Sequence, residues 1–217
     1  MLVQLFISGM NSALTPWMYS KIKKGDIRSM RKVLQLLSIV VVGIAVALML
    51  ISPELVLIFG SPKYREAVYV IPPVAASVFF IFIYNILSMP QFYYEKTQFL
   101  MAASMAAAGA NVVLNFIFIR LFGYIAAGYT TLACYMLYSV GHYIVSKRIL
   151  VNEGIQENLM NPGFLLACSV FLIGASIICN LIFPYRILRY AILLASAGLV
   201  FWKKELLLKT MADIRKK

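Results

Sequence analysis

Acid–base, nucleophilic and metal chemistry in this chain would have to come from eight carboxylates, one histidine and three cysteines. Asp26, Glu54, Glu66, Glu95, Glu153, Glu157, Glu205 and Asp213 all fall between long apolar stretches or at their ends, so no two pair where water is excluded. His142 is the sole histidine and stands near the end of an apolar run, where it reads as an interfacial polar residue rather than a proton relay. Cys134, Cys168 and Cys179 lie inside apolar runs without metal-ligand spacing and read as small buried hydrophobes. No Ser/His/Asp arrangement is sensibly placed, so the chain is expected to be no enzyme and to hold no metal or cofactor.

Side-chain amides offer a different chemistry. Asn111 and Asn115 are four residues apart, hence one turn apart on a helix face, where two carboxamides can bond a neighbouring helix or line a wet cavity. Packing glue is the commoner use, at roughly 0.6 to 2 kcal/mol per bond. Just before them, Ala102, Ala106 and Ala110, with Ala103 and Ala107, place small side chains at four-residue spacing, which lets another helix come close.

The elements that position these residues are membrane helices. Six stretches, at 33–51, 68–91, 98–121, 124–145, 164–183 and 187–202, are long and apolar enough to span a hydrocarbon core of about 30 Å, and their central parts carry no Asp, Glu, Lys or Arg. A shorter stretch at 1–19, interrupted by Asn11, Ser12 and Pro16, reads as the end of a further helix. With 62% hydrophobic and only 13% charged residues, too little polar surface exists to cover a water-soluble globule. The expected class is an all-α integral membrane protein: one polytopic helical bundle of six full spans plus a partial N-terminal one, followed by a basic tail at 203–217.

The net charge of +12 sorts by loop. Six crossings after Tyr19 place fifteen of the 20 Lys and Arg residues on one side, in the loop 20–32, at Lys96, at Lys147 and Arg148, and in the tail. The other side receives Lys63, Arg65, Arg120, Arg186 and Arg189. The positive-inside rule then puts the first loop and the C-terminus in the cytoplasm, and losing one crossing would split the two largest clusters. These clusters should lie against anionic lipids, which removes any need for a nucleic-acid partner. Trp17, Tyr19, Phe92, Tyr93, Tyr94, Tyr143, Tyr185 and Trp202 stand at span ends as headgroup anchors, and Asn161-Pro162 and Pro72-Pro73 read as helix starts. Pro184, Tyr185 and Arg186 must make a tight hairpin between the last two spans.

Three stretches carry a family resemblance. The run from Asn111 and Asn115 through Arg120-Leu-Phe-Gly123 to Ala126-Ala127-Gly128 is a polar helix, a short basic-glycine turn and a helix rich in small residues. Ser12-Ala-Leu-Thr-Pro16-Trp-Met-Tyr19 with Lys24-Gly25-Asp26 is a helix end and its loop, and Ser52-Pro53-Glu54 through Gly60 to Tyr64-Arg65-Glu66-Ala67 is a connection on the other side. In order and position these resemble the C-terminal half of the polysaccharide flippases of the multidrug/oligosaccharidyl-lipid/polysaccharide exporter superfamily. Ala126-Ala127-Gly128 stands where that family more often shows Gly-Ala-Ala. Nearly the whole chain is covered, although the last two spans match by position alone.

The resemblance implies one of two helical lobes of a fourteen-helix flippase in the bacterial cytoplasmic membrane, with Met1 inside the eighth helix. The implied activity is transfer of a polyprenyl-pyrophosphate-linked oligosaccharide between leaflets by rocking of the lobes. Its implied partners are that lipid-linked oligosaccharide, anionic membrane lipids, and a missing N-terminal lobe or a second chain. A sugar headgroup needs a hydrated cavity to cross hydrocarbon, and polar residues at membrane depth are the ones to line it: Asn11, Asn85, Asn111 and Asn115 first, with Arg120 a candidate for the pyrophosphate or an interfacial snorkel. A multidrug-type exporter of the same superfamily, or a non-transporting scaffold subunit of a polysaccharide assembly system, remains an open alternative.

Overall fold

In the computed structural model the described residues are 2–60 and 62–202, while the basic tail at 203–217 and the side chains of 2–8, 10, 62–64, 196, 197 and 199–202, Trp202 among them, lie outside the description. All regular structure there is helical: α1 (Leu2–Lys23), α2 (Ile27–Leu50), α3 (Ser52–Phe59), a 3-10 stretch (Pro62–Val70), α4 (Ile71–Tyr93), α5 (Gln98–Phe122), α6 (Ala126–Asn152), α7 (Pro162–Ile182) and α8 (Arg186–Trp202). Each apolar stretch found in the sequence is a helix, and this is a helical membrane protein.

Among the described residues four helical stretches are long and apolar enough to span a bilayer: α2, the segment Arg65–Tyr93 containing α4, α5 and α7. The sequence reading expected six full spans. The shortfall has physical reasons. α8 is only 17 residues long, α6 carries four tyrosines with Thr130, Thr131, Ser139, His142 and Ser146, and α1 carries Gln4, Asn11, Ser12 and Thr15.

Local chemistry sets the helix boundaries. Asp26 caps α2, accepting from the Ser29 N–H at 3.3 Å, while Lys21 Nζ reaches its other oxygen at 2.6 Å. Gly25 supplies the positive φ of +67° that the two-helix turn requires. Asn161 caps α7 by accepting from the Gly163 N–H at 2.9 Å, with Pro162 at the first turn, as the sequence predicts. Pro72 and Pro73 likewise sit in the first turn of α4.

α4 is the central helix, packing on α1, α2, α6 and α7. It is buried on nearly every side, which suits its almost unbroken apolar sequence. α2 instead buries one stripe, with Ile27, Met30, Leu34, Val41, Ala45 and Met49 at spacings of three, four and seven. Trp17, expected as a headgroup anchor, is 6% exposed and belongs to the same core, because α1 lies against α4.

Ion pairs and hydrogen bonds reveal which loops share an end. At one end Arg28 and Arg31 meet Glu157, Arg31 Nε donates to the Asn158 carbonyl at 2.7 Å, and Lys96 pairs with Glu153 at 2.8 Å. This basic end gathers the turns after α1, α4 and α6. At the opposite end Tyr124 donates to Glu66 and Arg189 meets Glu54. Successive long helices therefore run up and down.

Candidate functional site

α6 is pressed hard against the start of α4. A Cβ at Gly128 would stand 2.8 Å from Pro73 Cγ and 2.9 Å from the Val70 carbonyl, so only glycine permits this approach. Farther along, Ser139 Oγ donates to the Phe80 carbonyl of α4 at 3.0 Å. Gly123, at φ +75°, turns the chain sharply between α5 and α6. α5 thus returns beside α6 while leaving its outer surface open, and none of its residues is buried.

Between α4, α5 and α6 lies an open cleft with a volume of about 510 Å³. Its polar lining comes from Tyr84 on α4, Ser104 and Asn111 on α5, and Thr131, Tyr135 and Tyr138 on α6. Tyr84 and Tyr135 lie parallel with centroids 6.3 Å apart, and Tyr138 tilts against Tyr84 at 4.7 Å. Aromatic faces beside an amide and hydroxyls suit a ligand with both apolar and hydrogen-bonding surface.

The two predicted carboxamides act together. Asn115 Nδ2 donates to Asn111 Oδ1 at 2.9 Å, and Asn115 Oδ1 accepts from Thr130 Oγ1 at 2.5 Å. Asn111 lines the cleft, and Asn115 fixes its orientation while tying α5 to α6. The other three predicted residues lie elsewhere. Asn85 donates to the Ile81 carbonyl of its own helix at 2.7 Å and is not in the lining, although it adjoins Tyr84. Asn11 is on α1, its Oδ1 buried without a hydrogen bond. Arg120 lies at the exposed end of α5, its guanidinium carbon 3.8 Å from the centroid of Phe116.

Sequence reasoning missed a fully buried polar group at the heart of the bundle. The sequence places His142 at the interface, yet the side chain is fully enclosed. Its Nδ1 lies 2.8 Å from Nε2 of Gln91, which is also fully buried. Tyr84, Phe99 and Tyr138 surround the imidazole with centroids at 5.9, 5.3 and 4.5 Å. Tyr84 and Tyr138 therefore have one side on the cleft and the other on His142. The tyrosines at four- and seven-residue spacing from His142 along α6 were the available signal.

At the end opposite the basic one, Arg189 on α8 meets both oxygens of Glu54 at 2.9 Å and donates to the Leu50 carbonyl at 2.7 Å, while Tyr190 donates to Glu54 at 2.9 Å. The Arg189 guanidinium holds the Glu54 carboxyl below the usual carboxylate range, outweighing the opposing effect of partial burial. No family model, curated protein or solved structure matches this chain.

Proposed function

We propose that this chain is one helical lobe of a flippase that moves a polyprenyl-pyrophosphate-linked oligosaccharide from the cytoplasmic to the outer leaflet. The observation that carries the reading is the cleft itself: tyrosines, an asparagine and hydroxyls facing one open space within a largely apolar bundle. A sugar headgroup crossing the membrane needs such groups in place of water, while its lipid tail stays in hydrocarbon.

In this reading α6 and α8 cross the bilayer along with α2, α4, α5 and α7, α1 supplies a partial span, and the basic end faces the cytoplasm. α6 can do so despite its polar sequence because of how it is turned. Ser139, His142 and Ser146 are buried in the bundle, while Leu137, Val140 and Ile144 are exposed. The sequence resemblance to polysaccharide flippases adds support from an independent direction.

The test is leaflet exchange in proteoliposomes that hold the protein together with its second lobe. A polyprenyl-pyrophosphate oligosaccharide is loaded on one leaflet and its sugar is probed by a membrane-impermeant glycosidase. Exchange faster than in protein-free vesicles supports the reading, and sugar confined to its original leaflet at every protein density overturns it.

A further inference from the structure

The contact between Gln91 and His142 is more than a packing detail. Gln91 Nε2 lies 3.3 Å from the Leu87 carbonyl, which can only accept, so the amide nitrogen is the atom facing that carbonyl and Nδ1 of His142. Nδ1 is then an acceptor and carries no proton. Three polar atoms of these two residues and of Ser146, one turn beyond His142 on α6, are buried without hydrogen-bond partners: Gln91 Oε1, His142 Nε2 and Ser146 Oγ. Such groups are rare in proteins, and each calls for a partner that a second arrangement, an ordered water or a ligand supplies.

A proton on Nδ1 would set two N–H groups against each other. The clash is relieved if the Gln91 carboxamide turns over, presenting its unpaired Oε1 to the new N–H, but that surrenders the bond to Leu87. Gln91 and His142 thus have two exclusive arrangements, selected by one proton. The groups that face the ring are Gln91 and Tyr84 from α4, Phe99 from α5 and Tyr138 from α6, so two tyrosines are the titratable neighbours. Of the charged groups at this end of the bundle, Lys96 pairs with Glu153, and Arg28 and Arg31 meet Glu157. Aromatic faces around an imidazolium offer it partial compensation for lost water.

We propose that Gln91 and His142 form a proton-binding site in the seam between α4 and α6, whose state is transmitted to the cleft through the shared side chains of Tyr84 and Tyr138. Proton uptake breaks the donated bond at Nδ1 and shifts the two tyrosine rings that form the cleft wall. By reciprocity, whatever displaces those rings changes proton affinity at His142. This goes beyond the proposed transport activity and does not depend on it.

His142 is the only histidine, so 15N-histidine NMR of protein purified without a histidine tag reports on it alone. The expected result is an imidazole that takes up a proton within the pH range over which the protein stays folded. Tyrosine-ring signals of 13C-labelled protein should move with the same midpoint. The cleft cysteine Cys134 supplies a second readout in a Cys168→Ser/Cys179→Ser background. Its thiol-labelling rate, taken as a ratio to the same protein with His142→Gln, cancels the thiol's own chemistry and should rise severalfold as pH falls. An imidazole that does not titrate over this range overturns the proposal, as does titration that leaves both the tyrosine signals and the labelling ratio flat. The tyrosine signals need no substitution, so a variant that fails to fold does not leave the question open. Neither readout uses an oligosaccharide, so failure here and failure of flipping are separate results.

Discussion

Arg189 and Glu54 face each other through two parallel hydrogen bonds of 2.9 Å, joining residues 135 positions apart. The arginine side chain is 4% exposed and the glutamate 23%. This contact fastens the last helix to the junction of α2 and α3, and Tyr190 closes it from the side.

Removing one partner leaves the other charge without compensation. Glu54→Ala should destabilise the bundle by about 3 kcal/mol, because it strands a buried guanidinium. The double variant Glu54→Leu/Arg189→Met should recover much of that loss. Thermal unfolding in one detergent compares the three proteins, and equal melting of Glu54→Ala and the parent would show that the pair holds nothing.

The same carboxyl gives a pH signature. Because its folded pKa is depressed, Glu54 contributes stability in full above its ordinary value of 4.5, and the contribution falls away as pH drops through the lower, folded value. Stability measured from pH 6 downward (about two units) should therefore fall less steeply in Glu54→Gln than in the parent. Parallel curves would remove Glu54 from the acid response.

Gly128 should tolerate no side chain. Gly128→Ala places a methyl group against Val70 backbone and Pro73, and is expected to cost roughly 1 to 3 kcal/mol. Gly43→Ala, on α2, meets nothing within 4 Å and should be neutral or stabilising by up to about 1 kcal/mol. Unfolding measurements on the pair separate close approach from mere helix propensity.

Asn111 and Asn115 differ in role, and single variants should show it. Asn111→Leu keeps the fold but changes the cleft, so transport should fall with little change in melting. Asn115→Leu removes the link to Thr130 and should cost about 0.6 kcal/mol as well. Parent-level leaflet exchange with both residues changed would exclude them from the transport path.

Much of the architecture was legible because it rests on local signals. Long apolar runs marked every major helix, Asn161-Pro162 announced a start, and Pro184-Tyr185 fell in the break between α7 and α8. α3 escaped notice because eight residues inside a loop carry no period long enough to read. Of the site, Asn111 and Asn115 were visible because their partnership lies within one helix turn. His142 and Arg189 were not, because Gln91 lies 51 residues from the first and Glu54 lies 135 from the second. Charge at a helix end says where a side chain begins, and tertiary packing decides whether it reaches water. Trp17 failed for the same reason.

α5 runs for 25 residues without burying any of them, packs chiefly on α6, and is joined to its neighbours by links of only a few residues. It resembles a door hung on one post: its ends cannot travel, but rotation about its own long axis is opposed by few interlocking side chains. The width of the cleft is then decided in large part by what lies against the outer side of that door, so the surrounding medium becomes a determinant of the cleft's shape.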